Sequence, residues 1–411
     1  MDYVRHIIKK FDHDVGCATL PTAVVVIDVI GWRRNTVSVK KSRRQVINGL
    51  SMTALALTFG RQFAYAAASN DKIVLGAILP LTGIASLVGN EDRRAMEFAV
   101  DEVNKKGGLA GHPVEFIFED NQAKPDQSIL AFNNLTSMHD TPLIFSAMSG
   151  PCLAMAPLAT RKKVVLINAG AQADALTTAS PYLFNTLPTV SDESNILAKY
   201  LVGQGMSKAA ILFENSAAGI NGRDSFIDAF PKAGGTIVAS EPSQFGATDF
   251  RPPLLKLAAA NPDVVLSTVT AGHLQLAQQY RQLDLKMPLA GTTLLYNTLL
   301  LADPASNGLI YTQIHIEAPA DLNAAYKARF NEDMTLFGKQ YYNASQMAFT
   351  AIRDLLAANK PITGENIRED IVHRKVFENL VKLTFNNNTA TTQVDIKMMK
   401  DGVGVLIKSM D

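Results

Sequence analysis

The run FSAMSGP, Phe145–Pro151, places a serine and a glycine where an apolar stretch of strand length gives way to a helical pattern. A hydroxyl at Ser149, together with the free backbone N–H groups of a helix start at Ser149 and Gly150, suits a carboxylate or another small anion. Read structurally, the same serine is an N-cap that serves only its own helix. Cys152 follows at the helix start, where the dipole lowers a thiol pKa. No histidine pattern stands near it, however, and a small packed residue is the plainer reading. The histidines beyond residue 68 (His112, His139, His273, His315 and His373) are scattered, with no HExxH or i, i+4 metal spacing. The sequence has no GxSxG elbow and no Walker A loop, and DGVGVL at 401–406 leaves no room for a following helix. With only Cys17 and Cys152 in the chain, a CxxC zinc or redox site is excluded. These patterns favour binding over turnover, with no cofactor and no metal.

The 411 residues suffice for two domains, and 47% hydrophobic with 19% charged residues is ordinary globular composition. Residues 1–68 hold ten Lys/Arg against four Asp/Glu, which leaves 29 basic and 34 acidic residues in the remainder. A mildly acidic body without a basic stripe argues against nucleic acid as a partner. No apolar run reaches the roughly 18–20 residues that span a bilayer. The segment SRRQVIN, Ser42–Asn48, precedes a short apolar run and A-x-A sites at Ala64–Ala66 and Ala66–Ala68. That is the build of a secretory signal, and Arg43-Arg44 partly matches the twin-arginine motif. Residues 1–36 are then expected to derive from an upstream mis-start, with the export signal over 37–68 and initiation near Val37 or Val39.

From Lys72 the pattern alternates. KIVLGAIL is a continuous apolar run, as expected of a strand buried on both faces. Ala95, Phe98, Ala99, Val100 and Val103 then share one helical face, and Gly107-Gly108 supplies the stop. Strands and helices continue to alternate through VEFIFED, PLIFSAM, VVLINA, AAILFEN, GTIVASEP and DVVLSTVT. This predicts an α/β fold of two doubly wound parallel-sheet lobes joined by crossing hinge strands. Ligands of open parallel sheets bind beyond the carboxyl ends of the strands, so the cleft between lobes is the expected site.

The opening of the body resembles the branched-chain amino-acid (leucine/isoleucine/valine-binding) class of type I periplasmic solute-binding proteins. The residues that carry the likeness are GAILPLTG, the helix ending VNKKGGLAG, and EDNQAKPDQS after the second strand. The likeness runs over roughly 72–405. It implies one lobe from 69–188 with 317–375 and a second from 189–316 with 376–411, the third crossing falling near 374–385. It also implies that Ser149 holds a ligand carboxylate, with Gly170 and Gln172 as further contacts. Departures from the pattern bear on the ligand. The family's aromatic positions align with Val88, Ala218 and Val269, and its acidic residue in the second lobe aligns with Thr293. None of these four matches a buried ammonium. Glu214, at a strand end, is a possible second-lobe polar contact or simply a solvated carboxylate. The expected ligand is therefore a carboxylate or amide without an α-ammonium, its apolar or aromatic body packed on Leu87 and Val88.

The resemblance implies a small-molecule solute and ABC permease subunits of the inner membrane as partners, with the protein acting as an exported, periplasmic monomer. A ligand-sensing receptor of the same fold, reporting to a regulator, is the alternative.

Overall fold

The computed structural model describes residues 72–296 and 298–410. The expected export signal and upstream start lie outside the described residues.

The first lobe opens with β1 (Ile73–Leu79), α1 (Ser86–Lys105), β2 (Val114–Asp120), α2 (Pro125–Met138), β3 (Leu143–Ser146), α3 (Ser149–Lys162), β4 (Val165–Asn168) and β5 (Leu183–Asn185). The chain then crosses to α4 (Val190–Gly203), β6 (Lys208–Glu214), α5 (Ala217–Lys232), β7 (Thr236–Ser243), α6 (Arg251–Ala259), β8 (Val264–Thr268), α7 (His273–Gln282), β9 (Leu289–Gly291), α8 (Thr298–Ala302) and β10 (Ile310–Ile314). It returns through α9 (Ala320–Phe330), α10 (Leu336–Ala357) and α11 (Gly364–Arg374) to β11 (Val376–Glu378), β12 (Lys382–Asn386) and β13 (Thr389–Thr391). A last crossing leads to β14 (Val394–Lys400) and β15 (Val403–Met410).

Among the described residues these strands form two sheets. The first is ordered β11-β12-β13-β5-β4-β3-β1-β2 and the second β15-β14-β10-β9-β8-β6-β7. β1 lies between β2 and β3, parallel to both, which is why IVLGAIL reads as unbroken apolar sequence. The expected boundary at 376 moves. Residues 376–391 belong to the first sheet, because β11 and β12 pair antiparallel and β13 pairs parallel with β5. The third crossing is the short link between Thr391 and Val394, not 374–385. The turn of Asn386, Asn387 and Asn388 closes β12 onto β13, and one strand's worth of chain beyond it is needed before the second sheet is reached.

Each lobe has its own apolar core. In the first, α1 buries Ala95, Phe98, Ala99 and Val103 beneath α9 and α10, with Phe98 edge-on to Tyr326 at 5.4 Å. Burying such a side chain contributes roughly 1.5–3 kcal/mol. Val100, the remaining residue of the expected stripe, is only partly buried. Gly89 lets α1 close on the loop after β1, since a Cβ there would stand 2.2 Å from the Pro80 carbonyl oxygen.

Candidate functional site

The carboxyl ends of strands from both sheets converge on one cleft. The first lobe contributes Pro80 after β1, Ala147 to Ser149 after β3, and Gly170 and Ala171 after β4. The second contributes Ala218 at the start of α5, the Thr270–His273 turn after β8, and Leu294 and Tyr296 after β9. Helix α1 lays Leu87, Val88 and Asp92 along one wall, and Phe337 of α10 closes another. The lining encloses about 830 Å³, part of it open to solvent. Apolar side chains dominate, and no Lys or Arg stands among the lining residues described.

Ser149 is the first residue of α3, a 14-residue helix. It is held there by Met148, whose φ of 68° and ψ of 134° are unusual for a residue with a side chain. Such a conformation costs on the order of 1–3 kcal/mol and is retained where the turn has a task. The Ser149 hydroxyl that follows is buried at the cleft with no hydrogen-bond partner. The first N–H groups of any helix also lack helical partners and carry partial positive charge. Hydroxyl and helix start together therefore offer donors to an anion.

The opposite feature is an acid. Asp92 is fully buried, lines the cleft, and neither carboxylate oxygen has a hydrogen-bond partner. Burial, reinforced by the neighbouring Glu91 charge and opposed by Arg94, holds its carboxyl well above the usual range. The sequence does carry a signal for it: Asp92 precedes Ala95, Met96, Ala99 and Val103 by 3, 4, 7 and 11 positions, all buried on α1. A carboxylate on the apolar stripe of a helix is the anomaly that marks it.

On the second lobe, His273 sets Nε2 2.8 Å from the Leu294 carbonyl oxygen, and burial pushes its pKa down. The Tyr296 hydroxyl accepts the Leu336 N–H at 3.2 Å, and burial pushes its pKa to about 12. Its ring stands edge-on to Phe337 at 5.6 Å.

Of the residues expected from sequence, Leu87, Val88, Ser149, Gly170 and Ala218 come together in this lining. Gly170 is kept small by Tyr341, whose hydroxyl would stand 3.1 Å from a Cβ there. The others lie elsewhere. Gly150 turns toward Pro125 of α2, and Val269 is fully buried in the second lobe's core. Glu214 is neither solvated nor open to a ligand. It accepts hydrogen bonds from the Thr270 and Ala271 N–H groups, both at 3.2 Å, and from the Thr270 hydroxyl at 2.5 Å. Its service is to shape the turn that lines the cleft, and burial raises its pKa against these donors.

Gln172 and Thr293 meet at Glu193, a buried carboxylate of α4. Glu193 accepts from Gln172 Nε2 at 2.6 Å, Thr293 N at 2.7 Å, Thr293 Oγ1 at 2.8 Å and Thr312 Oγ1 at 2.5 Å. This cluster sits at the crossings and bonds the lobes together, since Gln172 belongs to the first lobe and Thr293 to the second. A second bridge joins Asp174 of the first lobe to Asn221 of α5 by two reciprocal hydrogen bonds, 2.8 and 2.9 Å, and to the Ser191 hydroxyl.

Among the described residues no group of three His, Cys, Asp or Glu is placed to hold a metal, and no helix is long and apolar enough to cross a membrane. Cys152 is buried and its thiol pKa is pushed up to about 12, the reverse of an activated nucleophile.

The model of the family described as periplasmic binding protein matches residues 72–400, which takes in the first sheet, the second as far as β14, and every residue of the cleft. The chain belongs to the periplasmic binding protein family. Among its relatives, the Leu/Ile/Val-binding protein homolog 3 of Brucella melitensis is 27% identical over 218 residues, 53% of this chain and 58% of that protein. The Leu/Ile/Val-binding protein BraC3 of Rhizobium johnstonii is 27% identical over 271 residues, 64% of this chain and 73% of that protein. The fold is shared with a solute-binding protein of an ABC transporter from Rhodopseudomonas palustris, solved with 3,4-dihydroxybenzoic acid. That likeness has a TM-score of 0.75 and 23% identity, and covers 83% of this chain and 97% of that one.

Proposed function

We propose that this periplasmic binding protein captures a small carboxylate between its lobes and delivers it, chemically unchanged, to the permease subunits of an ABC importer. The observation that carries the reading is Ser149. Its buried, unpartnered hydroxyl stands at the start of a helix and faces a cleft walled by Leu87, Val88, Tyr296 and Phe337. A carboxylate meets the donors there, and the apolar body of the solute covers the walls. The relatives named for leucine, isoleucine and valine, and the fold neighbour solved with a dihydroxybenzoate, are consistent with small carboxylates of either aliphatic or aromatic body.

Binding works by closure. A solute touching both lobes has its full contact set only when they meet, so it shifts the population toward the closed form. Export by a cleavable signal and action as a monomer belong to this reading. The test is a thermal-shift screen of the full chain over amino acids, aliphatic acids, aromatic acids and amides, followed by calorimetry on hits. Ser149→Ala should weaken a carboxylate hit by roughly ten-fold, the worth of one hydrogen bond to a charged group, and leave the melting temperature of the free protein within a degree or two. Failure of every carboxylate in the screen, or equal affinity in Ser149→Ala, overturns the reading.

A further inference from the structure

Thr293, the position at which the resemblance implies an acid for a ligand's donor group, is a hydroxyl engaged with Glu193; a buried acid lines the cleft from the other lobe. We infer that Asp92 reads a hydrogen-bond donor on the solute, so that the cleft takes hydroxy- or amino-substituted carboxylates rather than plain ones. The inference rests on the carboxylate reading of the cleft and adds the second polar group of the ligand.

Three observations carry it. Asp92 is fully buried and lines the cleft, and both oxygens are without partners although nearly all buried polar atoms in folded proteins are paired. The other buried acids near the crossings are saturated: Glu193 accepts four hydrogen bonds and Glu214 accepts three from the Thr270–Ala271 turn. Asp92 alone among these three is left with acceptor capacity, and it faces the space where a solute would lie. Finally, the lining holds no Lys or Arg, so its partner must arrive with the ligand. A phenolic or aliphatic hydroxyl supplies one donor to Asp92, and an ammonium supplies a donor with a compensating charge; a plain carboxylate supplies neither. The ligand is thus held at two points: an acceptor group on the Ser149 side and a donor group on the Asp92 side, with an apolar body between.

The experiment compares matched probes that share the carboxylate and the body. Leucine against 4-methylpentanoate isolates the ammonium, and 4-hydroxybenzoate against benzoate isolates the hydroxyl. Calorimetry is run on the wild type, Asp92→Leu and Asp92→Asn. Asp92→Leu places an apolar side chain on an already apolar helix stripe. Asp92→Asn keeps the shape and can still accept from a hydroxyl. The expected result is that the donor-bearing member of one pair binds the wild type at least about ten-fold tighter. That margin should fall to within about three-fold in Asp92→Leu. Partial retention of the margin in Asp92→Asn identifies the hydroxyl pair, and full loss the ammonium pair. A margin untouched by both substitutions, no ten-fold margin in either pair, or no binding by all four probes overturns the inference. In that last case binding of any other carboxylate in the wider screen keeps the cleft reading intact, so the two fail separately.

Discussion

Replacing Glu193 by Ala should cost the fold more than any other single change at the crossings. Glu193 is fully buried, and its removal strands donors contributed from across the chain. Two of these have a fallback: Thr293 Oγ1 also reaches the Thr312 carbonyl at 3.2 Å, and Gln172 Nε2 the Pro188 carbonyl at 3.1 Å. The Thr293 N–H and the Thr312 hydroxyl have none. Each buried donor left unsatisfied costs about 1–3 kcal/mol. Relief of the buried carboxyl's own desolvation, which raises the pKa of Glu193, offsets part of the sum. The net expectation is a loss of about 3 kcal/mol, against total stabilities of about 5–15 kcal/mol for typical domains. Glu193→Gln keeps one acceptor but turns an N–H toward a donor, so about half that loss is expected. Urea denaturation followed by circular dichroism measures both. Because Gln172 and Thr293 lie in different lobes, the alanine variant should also broaden the transition or split it in two as the lobes lose their coupling. A midpoint and slope unchanged in Glu193→Ala would refute the reasoning, and would return Gln172 and Thr293 to consideration as ligand contacts.

Asn221→Ala removes two reciprocal hydrogen bonds across the lobes, each worth about 0.5–1.5 kcal/mol. Apparent solute affinity should drop several-fold by calorimetry, and the unfolding midpoint should fall with the lost bonds; unchanged affinity would place the bridge outside closure. Asp92 contributes a definite sign to the pH dependence of stability. Its folded pKa is raised, so between the ordinary carboxylate range and that raised value the folded chain keeps a proton the unfolded chain has lost, and stability falls as pH rises. The groups acting on it are Glu91 and Arg94 on its own helix and the Tyr341 hydroxyl of α10. Asp92→Asn should flatten this slope, and a wild-type-minus-variant difference constant with pH would contradict the assignment. Cys152, buried with a raised thiol pKa, should resist iodoacetamide in the folded protein and react once unfolded, as read by peptide mapping. Rapid native labelling would contradict the burial.

The glycines of α5 show why helix starts were harder to read than strands. Helix α5 begins at Ala217, with Ser216 accepting the Gly219 N–H at 3.1 Å, although two glycines fall within its first six residues. Gly219 and Gly222 lower helix propensity locally, but a Cβ at Gly219 would stand 2.3 Å from the Glu214 carbonyl oxygen. Packing demanded a residue that propensity disfavours.

What the sequence by itself determined was the alternation of buried strands and amphipathic helices, and with it the two sheets and the cleft beyond their strand ends. Ser149 was legible for the same reason: a strand end and a helix start are local events, written in neighbouring residues. The second-lobe partners of Glu193, Thr293 and Thr312, lie 100 and 119 residues away, so its first-turn position in α4 reads only as an ordinary dipole-favoured acid. The assignment of 376–391 to the first sheet and the saturation of Glu214 by a turn 56 residues on likewise depend on which distant segments meet. Periodicity reports whether a side chain is buried. Whether a buried polar group is then satisfied or left waiting for a ligand is decided by neighbours that only the folded chain brings within reach, and that difference separates Glu193 from Asp92.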